Sequence, residues 1–486
     1  MPTPEIWVHD EASYLLGADT LLQGRLANPS PPSPAHFEMV HALTTPTYGT
    51  KYPLGQSMFL AVGKGFLGHG HRGVVLSVAL AAVAAAWAGA GWAGRRGAFA
   101  TGMLFAVVYG TGHYRVRSCW GGAVPAFGSF LVIGAYPRLR RAWETVPALA
   151  LGLGLSLLFL SRPYEGGVLG LAVVGALLPS ARRGWSEERG RLGRALAVLV
   201  ALGSLAVGFQ LAANRAATGR WGRLPYMEHS QRYLVAPLFW FQKPGTGTAS
   251  PLPELQAVHL WEMAMYRDKT EAGPAKALFR FGNVAPAVSW IRFLPLLALF
   301  PALRRRTLPG LGALVGFLFL SWLAVAVEVY RIEHYLAPFV ACLLVLLGMA
   351  WDVASSSPRH GRWAGCLVAV LLVLDTRNSV RPYLRMVTRP DSFPVPSRGL
   401  AERRLRDESG THLVFVRWKG QASSHQVWVA NGAPVEAQRI LWVRDLGPEA
   451  NSRLRAAFPG RRPWICVADS EGGTDPRVEP FQEGRY

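Results

Sequence analysis

The sequence predicts an all-α polytopic membrane bundle of about ten transmembrane helices, followed by a small α/β domain at its C-terminal end. Three observations support this fold class. Half of the 486 residues are hydrophobic and 17% are charged, the apolar residues fall in long runs, and the composition becomes charged and proline-rich after Asp375. A single water-soluble core does not need so many apolar runs, whereas each crossing of a bilayer requires a long apolar segment.

Ten apolar runs approach the length that crosses about 30 Å of hydrocarbon, and several of them are short or interrupted by glycine. They lie at 72–94, 97–113, 119–136, 144–160, 166–180, 194–213, 283–302, 308–329, 333–351 and 362–376. The run at 59–68 is too short to span and is predicted to lie along the membrane interface. The chain therefore divides into an outer loop with this interfacial helix (1–71), a transmembrane helical bundle (72–376) and a small soluble α/β domain (377–486).

Arginine clusters fall at alternate turns between the apolar runs. They are Arg95, Arg96, Arg138, Arg140, Arg141, Arg182, Arg183, Arg189, Arg191, Arg194, Arg304, Arg305, Arg306, Arg359 and Arg362. Loops rich in Lys and Arg stay in the cytoplasm. The segments predicted to lie together on the outer side are therefore residues 1–71, 161–165, the loop at 214–282, 328–335 and the C-terminal domain. The net charge of +21 is accordingly interpreted as a topology signal and not as nucleic-acid binding.

The N-terminal end raises a question of membrane insertion. Its first residues lack the basic and apolar regions of a signal peptide, although an even number of crossings places both chain ends outside. We therefore expect a further transmembrane helix upstream of Met1, which either the recorded start codon omits or the protein has lost.

The C-terminal domain is predicted from short β-branched and aromatic runs. These are HLVFVRW, QVWVA, RILWV and PWICVAD, with helix-like stretches at 399–408 and 448–458. Four cysteines, Cys119, Cys342, Cys366 and Cys466, show neither metal-ligand nor disulfide spacing. An appended α/β module is the simplest account of this region.

Two adjacent carboxylates, Asp10 and Glu11, are the catalytic candidates. They open a polar, proline-punctuated stretch ahead of a mostly apolar chain, and ionisable groups beside a bilayer are costly. An ionised carboxylate at position 10 could accept the proton of an acceptor hydroxyl, and Glu11 could hold Asp10 or, with it, a divalent cation. The alternative is that both are solvated acids near a chain end. A metal site is not assigned.

Further candidates on the outer side combine cations, aromatic rings and acids. As substrate-binding residues the sequence offers Lys51, Tyr52, Arg115, Arg162, Tyr164, Glu165, Arg232 and His334. Sugar transfer from a lipid-phosphate donor needs this mixture, because cations bind the departing phosphate while rings and amides bind the sugar. Each candidate has a structural alternative. Arg162 and Glu165 could form an i, i+3 ion pair. The two separate runs around Arg115 and around His334 could anchor the chain at the membrane interface, and the segment around Arg232 could be an anchor or a lid.

The arrangement resembles the GT-C superfamily of polyprenyl-phosphate-sugar-dependent membrane glycosyltransferases, which includes protein O-mannosyltransferases and aminoarabinose transferases. It is similar in particular to a group of bacterial multi-pass proteins. The matching segments are DEASYLLGADTLLQGRLANP, PTYGTKYPLGQ, SRPYEG and VWVANGAPVEAQRILWVRD. The resemblance implies a sugar donor linked to a polyprenyl phosphate, a location in the bacterial inner membrane, and a role in acceptor activation for Asp10 with Glu11 beside it.

Three hypotheses of function remain open at this stage. The first is transfer of a sugar from the polyprenyl-phosphate carrier to a lipid, glycan or protein acceptor at the outer face of the membrane. The second is a transporter or flippase for a lipid-linked sugar, although the charges lie at helix ends and the two halves of the chain show no repeated pattern of broken helices. The third is a membrane scaffold whose C-terminal domain recruits a partner, which leaves the polar first loop without a purpose.

Overall fold

The structure is a computed structural model of the 486-residue chain, and it is mostly helical. It describes residues 6–110, 118–245, 252–271, 308–330, 332–356, 397–419, 424–469 and 476–482, together with the single positions 116, 273, 297, 362, 366, 370 and 422.

The first region folds as a helical cap with a small sheet. Helix α1 (His9–Leu22) is followed by short strands β1 (Asn28–Pro29), β2 (Ala42–Leu43) and β3 (Thr47–Thr50), and β3 pairs antiparallel with both of the others. A 3₁₀ turn, Pro34–Phe37, lies between β1 and β2. Helix α2 (Gly55–Leu67) follows and packs against α1. It covers the predicted interfacial run, and its Phe66 side chain is 84% exposed.

The bundle begins with α3 (Gly70–Gly110), which is broken at Ala93 and Gly94. Gly94 has a φ of 66°, in the left-handed region that favours glycine, and the break coincides with the end of the predicted run 72–94, just before the run 97–113. The chain continues through α4 (Ala123–Leu139), α5 (Thr145–Phe159), α6 (Pro163–Glu187) and α7 (Arg189–Thr218). After α8 (Pro225–Tyr233) and α9 (Pro253–Glu271), the bundle resumes with α10 (Leu311–Ala326) and α11 (Ala337–Ser355).

Among the residues that the structure describes, four helical stretches are long and apolar enough to cross a membrane. They are Gly70–Val107, Pro163–Glu187, Arg189–Thr218 and His334–Ser355, and three shorter apolar helices, α4, α5 and α10, accompany them. Alanine, leucine and valine side chains of α3, α4 and α11 form the interior of the bundle. The chain is thus a membrane protein. The predicted runs 283–302 and 362–376 lie outside the described residues, so the count of ten spans stays a prediction.

In its described residues, the C-terminal region contains a four-stranded sheet with two helices. Its elements are α12 (Ser397–Asp407), β4 (His412–Lys419), β5 (Ile440–Arg444), α13 (Pro448–Ala457), β6 (Arg462–Asp469) and β7 (Arg477–Pro480). The strand order is β5-β4-β6-β7, with β4 parallel to β5 and β6, and β7 antiparallel to β6. The sequence missed β7.

The run QVWVA was predicted as a strand, and that prediction is wrong. Residues 426–430 form an irregular segment, although Trp428 within it is buried in the core. Asn431, which follows the run, donates a hydrogen bond to the carbonyl of Trp442 (2.7 Å) and accepts one from its N–H (2.9 Å). These side-chain bonds hold the segment against β5 without a strand ladder.

The sheet region shares a hydrophobic core with the outer loop. Leu16 of α1, Phe37 and Tyr48 are buried in one cluster with Trp428 and Trp442. The Tyr48 hydroxyl also donates to the carbonyl of Asn431 at 2.8 Å. The two polar regions at the ends of the chain are therefore packed together, which agrees with their predicted placement on one side of the membrane.

Candidate active site

The first turn of α1 directs its two carboxylates into different surroundings. Glu11 is 2% exposed and accepts hydrogen bonds from the backbone N–H groups of Trp7 (2.7 Å), Val8 (3.2 Å) and Cys119 (2.9 Å). Burial raises the pKa of the Glu11 carboxyl, and these three N–H donors oppose that rise. A carboxylate that satisfies N–H groups at a helix start fixes the helix in place. Glu11 thus joins the beginning of α1 to the loop before α4.

Asp10 faces a cavity of about 570 Å³, here called the Asp10 cavity. The outer loop contributes His9, Asp10, His41, Lys51 and Tyr52 to its lining. The remaining walls come from α9, from Trp120, Tyr226, Tyr330 and Tyr335, and from the turn at residues 424 and 425. Half of the lining residues carry a flat ring, and three others, Asp10, Lys51 and Glu262, carry a charged group. Pockets that bind small molecules commonly combine apolar walls with a few placed polar groups.

The Asp10 carboxylate lies between a phenol and an imidazole. The Tyr52 hydroxyl donates a hydrogen bond to Oδ1, and Nε2 of His41 lies 3.6 Å from Oδ2. Burial lowers the pKa of His41 well below 6.5, and the nearby Lys51 and His9 lower it further. Burial also lowers the pKa of His9 to about 4. Near neutral pH both imidazoles are therefore uncharged, and the cationic side chain of this cavity is Lys51.

Lys51 follows β3 and is 5% exposed. Its ammonium lies 5.1 Å from the ring centre of Tyr52 and 5.4 Å from that of Tyr226. Burial lowers the pKa of this ammonium, while the charges of Glu262 and Asp10 raise it. Aromatic faces stabilise a partly desolvated cation, so Lys51 presents a positive charge inside the cavity.

A second cavity of about 220 Å³, here called the Arg162 cavity, adjoins the first. Four side chains line both cavities and form the wall between them: Lys51, Tyr52, Tyr226 and Tyr335. Arg162, Tyr164, Glu165 and Glu328 line only the second one.

Arg162 sits at the start of α6, and its guanidinium makes two contacts near the Arg162 cavity. It lies 4.0 Å from the Glu165 carboxylate and 4.0 Å from the ring centre of Tyr335. The ion pair considered as a structural alternative is therefore present, and it lies within a cavity wall.

The remaining predicted residues lie elsewhere. Arg232 donates to the carbonyl and hydroxyl of Thr45 (2.6 and 2.7 Å) and to Glu228 (2.8 Å), and it lines neither cavity. His334 is buried, with its ring centre 4.8 Å from that of Trp120 and 4.9 Å from that of Tyr335. Arg115 lies outside the described residues. The structure therefore brings Asp10, Lys51, Tyr52, Arg162, Tyr164 and Glu165 into two adjoining cavities, and it does not bring Glu11, Arg232 or His334 there.

Helix α9 supplies cavity residues that the sequence did not single out. Four of its residues follow the i, i+3, i+4, i+7 spacing of one helix face, and all four line the Asp10 cavity: Val258, Trp261, Glu262 and Met265. Burial raises the pKa of Glu262 to about 7, against the effect of Lys51. That spacing was the available signal. His41, in contrast, carries no pattern that distinguishes it from other loop histidines.

Within the part of the chain that the structure describes, no group of three His, Cys, Asp or Glu side chains could hold a metal ion. The arrangement instead combines a carboxylate held by a hydroxyl donor, a buried ammonium and a neighbouring guanidinium. Such a set can accept a proton and stabilise an anionic leaving group.

No protein-family model and no curated protein matches the sequence. The fold is similar to that of solved membrane glycosyltransferase structures. One solved structure with this fold is ArnT, an aminoarabinose transferase, from Cupriavidus metallidurans in the apo state, with a TM-score of 0.52 and 15% identity. The same protein bound to undecaprenyl phosphate gives a TM-score of 0.51 and 16% identity. Both matches cover 96% of this chain and 89% of ArnT. At these identities the likeness concerns the fold alone.

A weaker likeness is found to the oligosaccharyltransferase of Archaeoglobus fulgidus in its apo form. That match has a TM-score of 0.46 at 12% identity, and it covers 96% of this chain and 66% of the archaeal one.

Proposed function

We propose that the protein transfers a sugar from a polyprenyl-phosphate carrier to a hydroxyl group of a lipid, glycan or protein acceptor. One observation carries the proposal: the wall that contains Lys51 and Tyr52 separates a cavity with a carboxylate from a cavity with a guanidinium. A donor phosphate bound at this wall would be stabilised from both sides, with its sugar beside Asp10. The similar ArnT structure that holds undecaprenyl phosphate supports this choice of carrier.

In the proposed reaction, Asp10 acts as a general base. The acceptor oxygen forms a bond to the anomeric carbon of the donor sugar while the bond from that carbon to the phosphate oxygen breaks. The acceptor proton passes to the Asp10 carboxylate, which the Tyr52 hydroxyl orients. The polyprenyl phosphate leaves as an anion, and Lys51 and Arg162 stabilise its charge. Glu11 positions the first turn of α1 through its three backbone hydrogen bonds.

The proposal assigns a role to each predicted region. Residues 1–71 carry the base and the phosphate-binding lysine, residues 72–376 hold the lipid chain of the donor within the bilayer, and residues 377–486 close the site at the outer face of the bacterial inner membrane. Supporting this division, the outer loop and the sheet region share one hydrophobic core. Arg162 lies where the membrane-spanning helix α6 begins, at the boundary that a lipid phosphate occupies.

The test uses purified protein in lipid nanodiscs with a panel of undecaprenyl-phosphate-linked sugars, each radiolabelled in the sugar. The wild type is expected to form a labelled glycoside and to release undecaprenyl phosphate. Asp10→Asn should lower the transfer rate by about 10³-fold, because a positioned general base contributes about 10²- to 10⁴-fold. Its thermal unfolding temperature should stay close to that of the wild type.

Asp19→Asn is the matched control, because Asp19 lies on the same helix, pairs with Lys64 and lines neither cavity. It should leave the transfer rate within about twofold, since the proposed chemistry does not involve its carboxylate. A fully active Asp10→Asn, Glu11→Gln double variant would rule out the assigned chemistry. Movement of a labelled lipid-linked sugar across vesicles, with no new glycosidic bond, would instead identify a flippase.

A further inference from the structure

One wall of the Asp10 cavity is built by α9 together with the C-terminal region. Trp261, Glu262 and Met265 line it from α9, and Ser424 and His425 line it from the turn that precedes the buried Trp428. These five residues do not line the Arg162 cavity. The wall, here called the α9 wall, therefore belongs to the side of the site that the proposed donor phosphate does not occupy.

The position of α9 depends on a buried ion pair with the C-terminal sheet. Arg444 of β5 donates from Nη1 to the Glu254 carboxylate in the first turn of α9 at 2.5 Å, and the two side chains are 6% and 2% exposed. The same guanidinium donates from Nε and Nη2 to the carbonyl of Glu38 at 3.0 and 2.8 Å. One side chain thus joins the sheet, α9 and the loop that carries His41. Removing one partner of a buried, hydrogen-bonded pair leaves an uncompensated charge.

The α9 wall presents aromatic surface with polar groups at its edge. The rings of Trp261 and His425 meet nearly edge to face, with centres 5.4 Å apart and planes at 76°. Trp261 is half-buried and His425 is exposed, so both rings are accessible from the cavity. Flat rings pack against the C–H face of a sugar ring, and carboxylate, hydroxyl and imidazole groups can bond its hydroxyls.

The charge of the α9 wall favours a neutral ligand. Its side chains include a carboxylate, Glu262, and no lysine or arginine among the five residues named above. A phosphorylated acceptor headgroup would need cationic partners, which this wall does not offer.

We propose that Trp261 and His425 form the acceptor-binding surface, that the acceptor presents a neutral sugar ring to it, and that Arg444 is a positioning residue which holds α9 in place. This inference rests on the proposed glycosyl transfer, since it names the acceptor class for the same site. The C-terminal region then contributes His425 directly to acceptor binding.

The test separates donor cleavage from acceptor recognition. Full-length protein in nanodiscs is given its undecaprenyl-phosphate-linked sugar with water alone, with a panel of methyl glycosides and short neutral oligosaccharides, and with serine- and threonine-containing peptides. His425→Ala and Trp261→Leu should raise KM for the saccharide acceptor by about tenfold, since loss of a ring contact weakens binding by that order. Hydrolysis of the donor by water should stay within about twofold.

Trp464→Leu is the matched control for Trp261→Leu. Trp464 also meets a histidine ring, that of His412, at 5.9 Å and 67°, and it lines neither cavity. It should leave the acceptor KM unchanged. His425→Ala alters an exposed turn residue, so it keeps the test valid if a tryptophan variant fails to fold.

Arg444 is tested by hydrogen exchange of α9 and by the same comparison of the acceptor KM with the rate of donor hydrolysis. Arg444→Met should speed exchange across residues 253–271 and raise the acceptor KM, and Arg444→Lys should restore part of both. Arg417→Met is its control, because Arg417 lies in the same sheet and pairs with Asp445 at 2.6 Å.

Three results would overturn the inference. A wild type that cleaves no polyprenyl-phosphate sugar would remove the proposed function, and this inference with it. An active wild type whose acceptor KM is unchanged in Trp261→Leu and His425→Ala would overturn the inference alone. Transfer to the peptides and to no saccharide would overturn the acceptor class.

Discussion

The Asp10 cavity and the Arg162 cavity share a wall but differ in the chemistry that they contain. The first is formed by loops, α9 and the C-terminal turn, and it holds Asp10 and Glu262 among aromatic rings. The second is formed largely where helices of the bundle begin or end, and it holds Arg162 beside Glu165 and Glu328. The difference separates a region able to accept a proton from a region able to bind a phosphate, with Lys51 in the wall between them.

That separation has a physical reason. A cation directly beside the base would hold its proton-accepting oxygen in an ion pair, whereas a cation one wall away can stabilise the leaving phosphate without blocking the base. Tyr52 belongs to both cavities, and its hydroxyl donates to Asp10. The two halves of the proposed reaction are therefore connected through neighbouring residues 51 and 52.

Among the cationic side chains, the largest effect is expected from Lys51→Met, which removes the ammonium that both cavities share. We expect the transfer rate to fall by about 10²- to 10³-fold, because loss of one preorganised group that stabilises a developing charge costs about that much. The thermal unfolding temperature of the variant should not be lower than that of the wild type, because methionine fills the space of the lysine side chain without the cost of a buried charge. The assay is labelled-sugar transfer in nanodiscs.

Lys64→Met is its control, because Lys64 is half-exposed, pairs with Asp19 and lines neither cavity. If both lysine variants retained wild-type rates, the shared wall would have no part in binding the phosphate, and the comparison between the cavities would lose its functional meaning.

A smaller effect is expected from Arg162→Gln, which changes only the second cavity. The KM for the lipid-linked donor should rise about 10- to 100-fold, since hydrogen bonds to charged groups contribute about 1.5–3 kcal/mol. The KM for the acceptor should change little. Arg232→Gln provides the contrast, because Arg232 bonds Thr45 and Glu228 outside both cavities. Equal effects of the two arginine variants on donor KM would contradict the assignment of the phosphate to the Arg162 cavity.

The bundle was largely predictable from sequence, because a membrane span is a local property of composition. The break of α3 at Ala93 and Gly94 and the starts of α6 and α10 lie close to the ends of predicted runs. Strands are less local. The QVWVA run has β-branched and aromatic residues, yet the contacts of Asn431 with Trp442, eleven residues away, fix it in another conformation.

The site was predictable only in part, because its geometry depends on long-range contacts. Sequence singled out Asp10 and Glu11 as a pair, and the structure separates them through the bond from Cys119, which lies 108 residues away. Lys51, Tyr52 and Arg162 could be proposed from their residue types and their predicted place at the membrane boundary, but nothing local showed that they line one cavity. Trp261 and His425 meet only because the C-terminal sheet folds back onto α9.

The smallest effect concerns the pH dependence of donor binding, through Glu262 in the Asp10 cavity. Burial raises the pKa of this carboxyl to about 7, so it is mostly neutral below that pH and mostly ionised above it. An ionised Glu262 attracts the Lys51 ammonium and repels the donor phosphate, whose own charge does not change in this range. The donor KM of the wild type should therefore rise several-fold as the pH increases from 6 to 8.

Glu262→Gln should abolish this pH dependence of the donor KM, because glutamine is neutral at both pH values. Its effect on stability has a definite sign as well. The carboxyl ionises near pH 4.5 in the unfolded chain and near pH 7 in the folded chain. As the pH rises between these two values, the free energy of unfolding of the wild type falls, whereas the neutral glutamine side chain contributes no such loss. The variant should thus gain thermal stability relative to the wild type at pH 8 but not at pH 4. If the donor KM of Glu262→Gln still rose with pH, another group would be responsible for the titration. The proposed effect of Glu262 ionisation on binding of the donor phosphate would then be wrong.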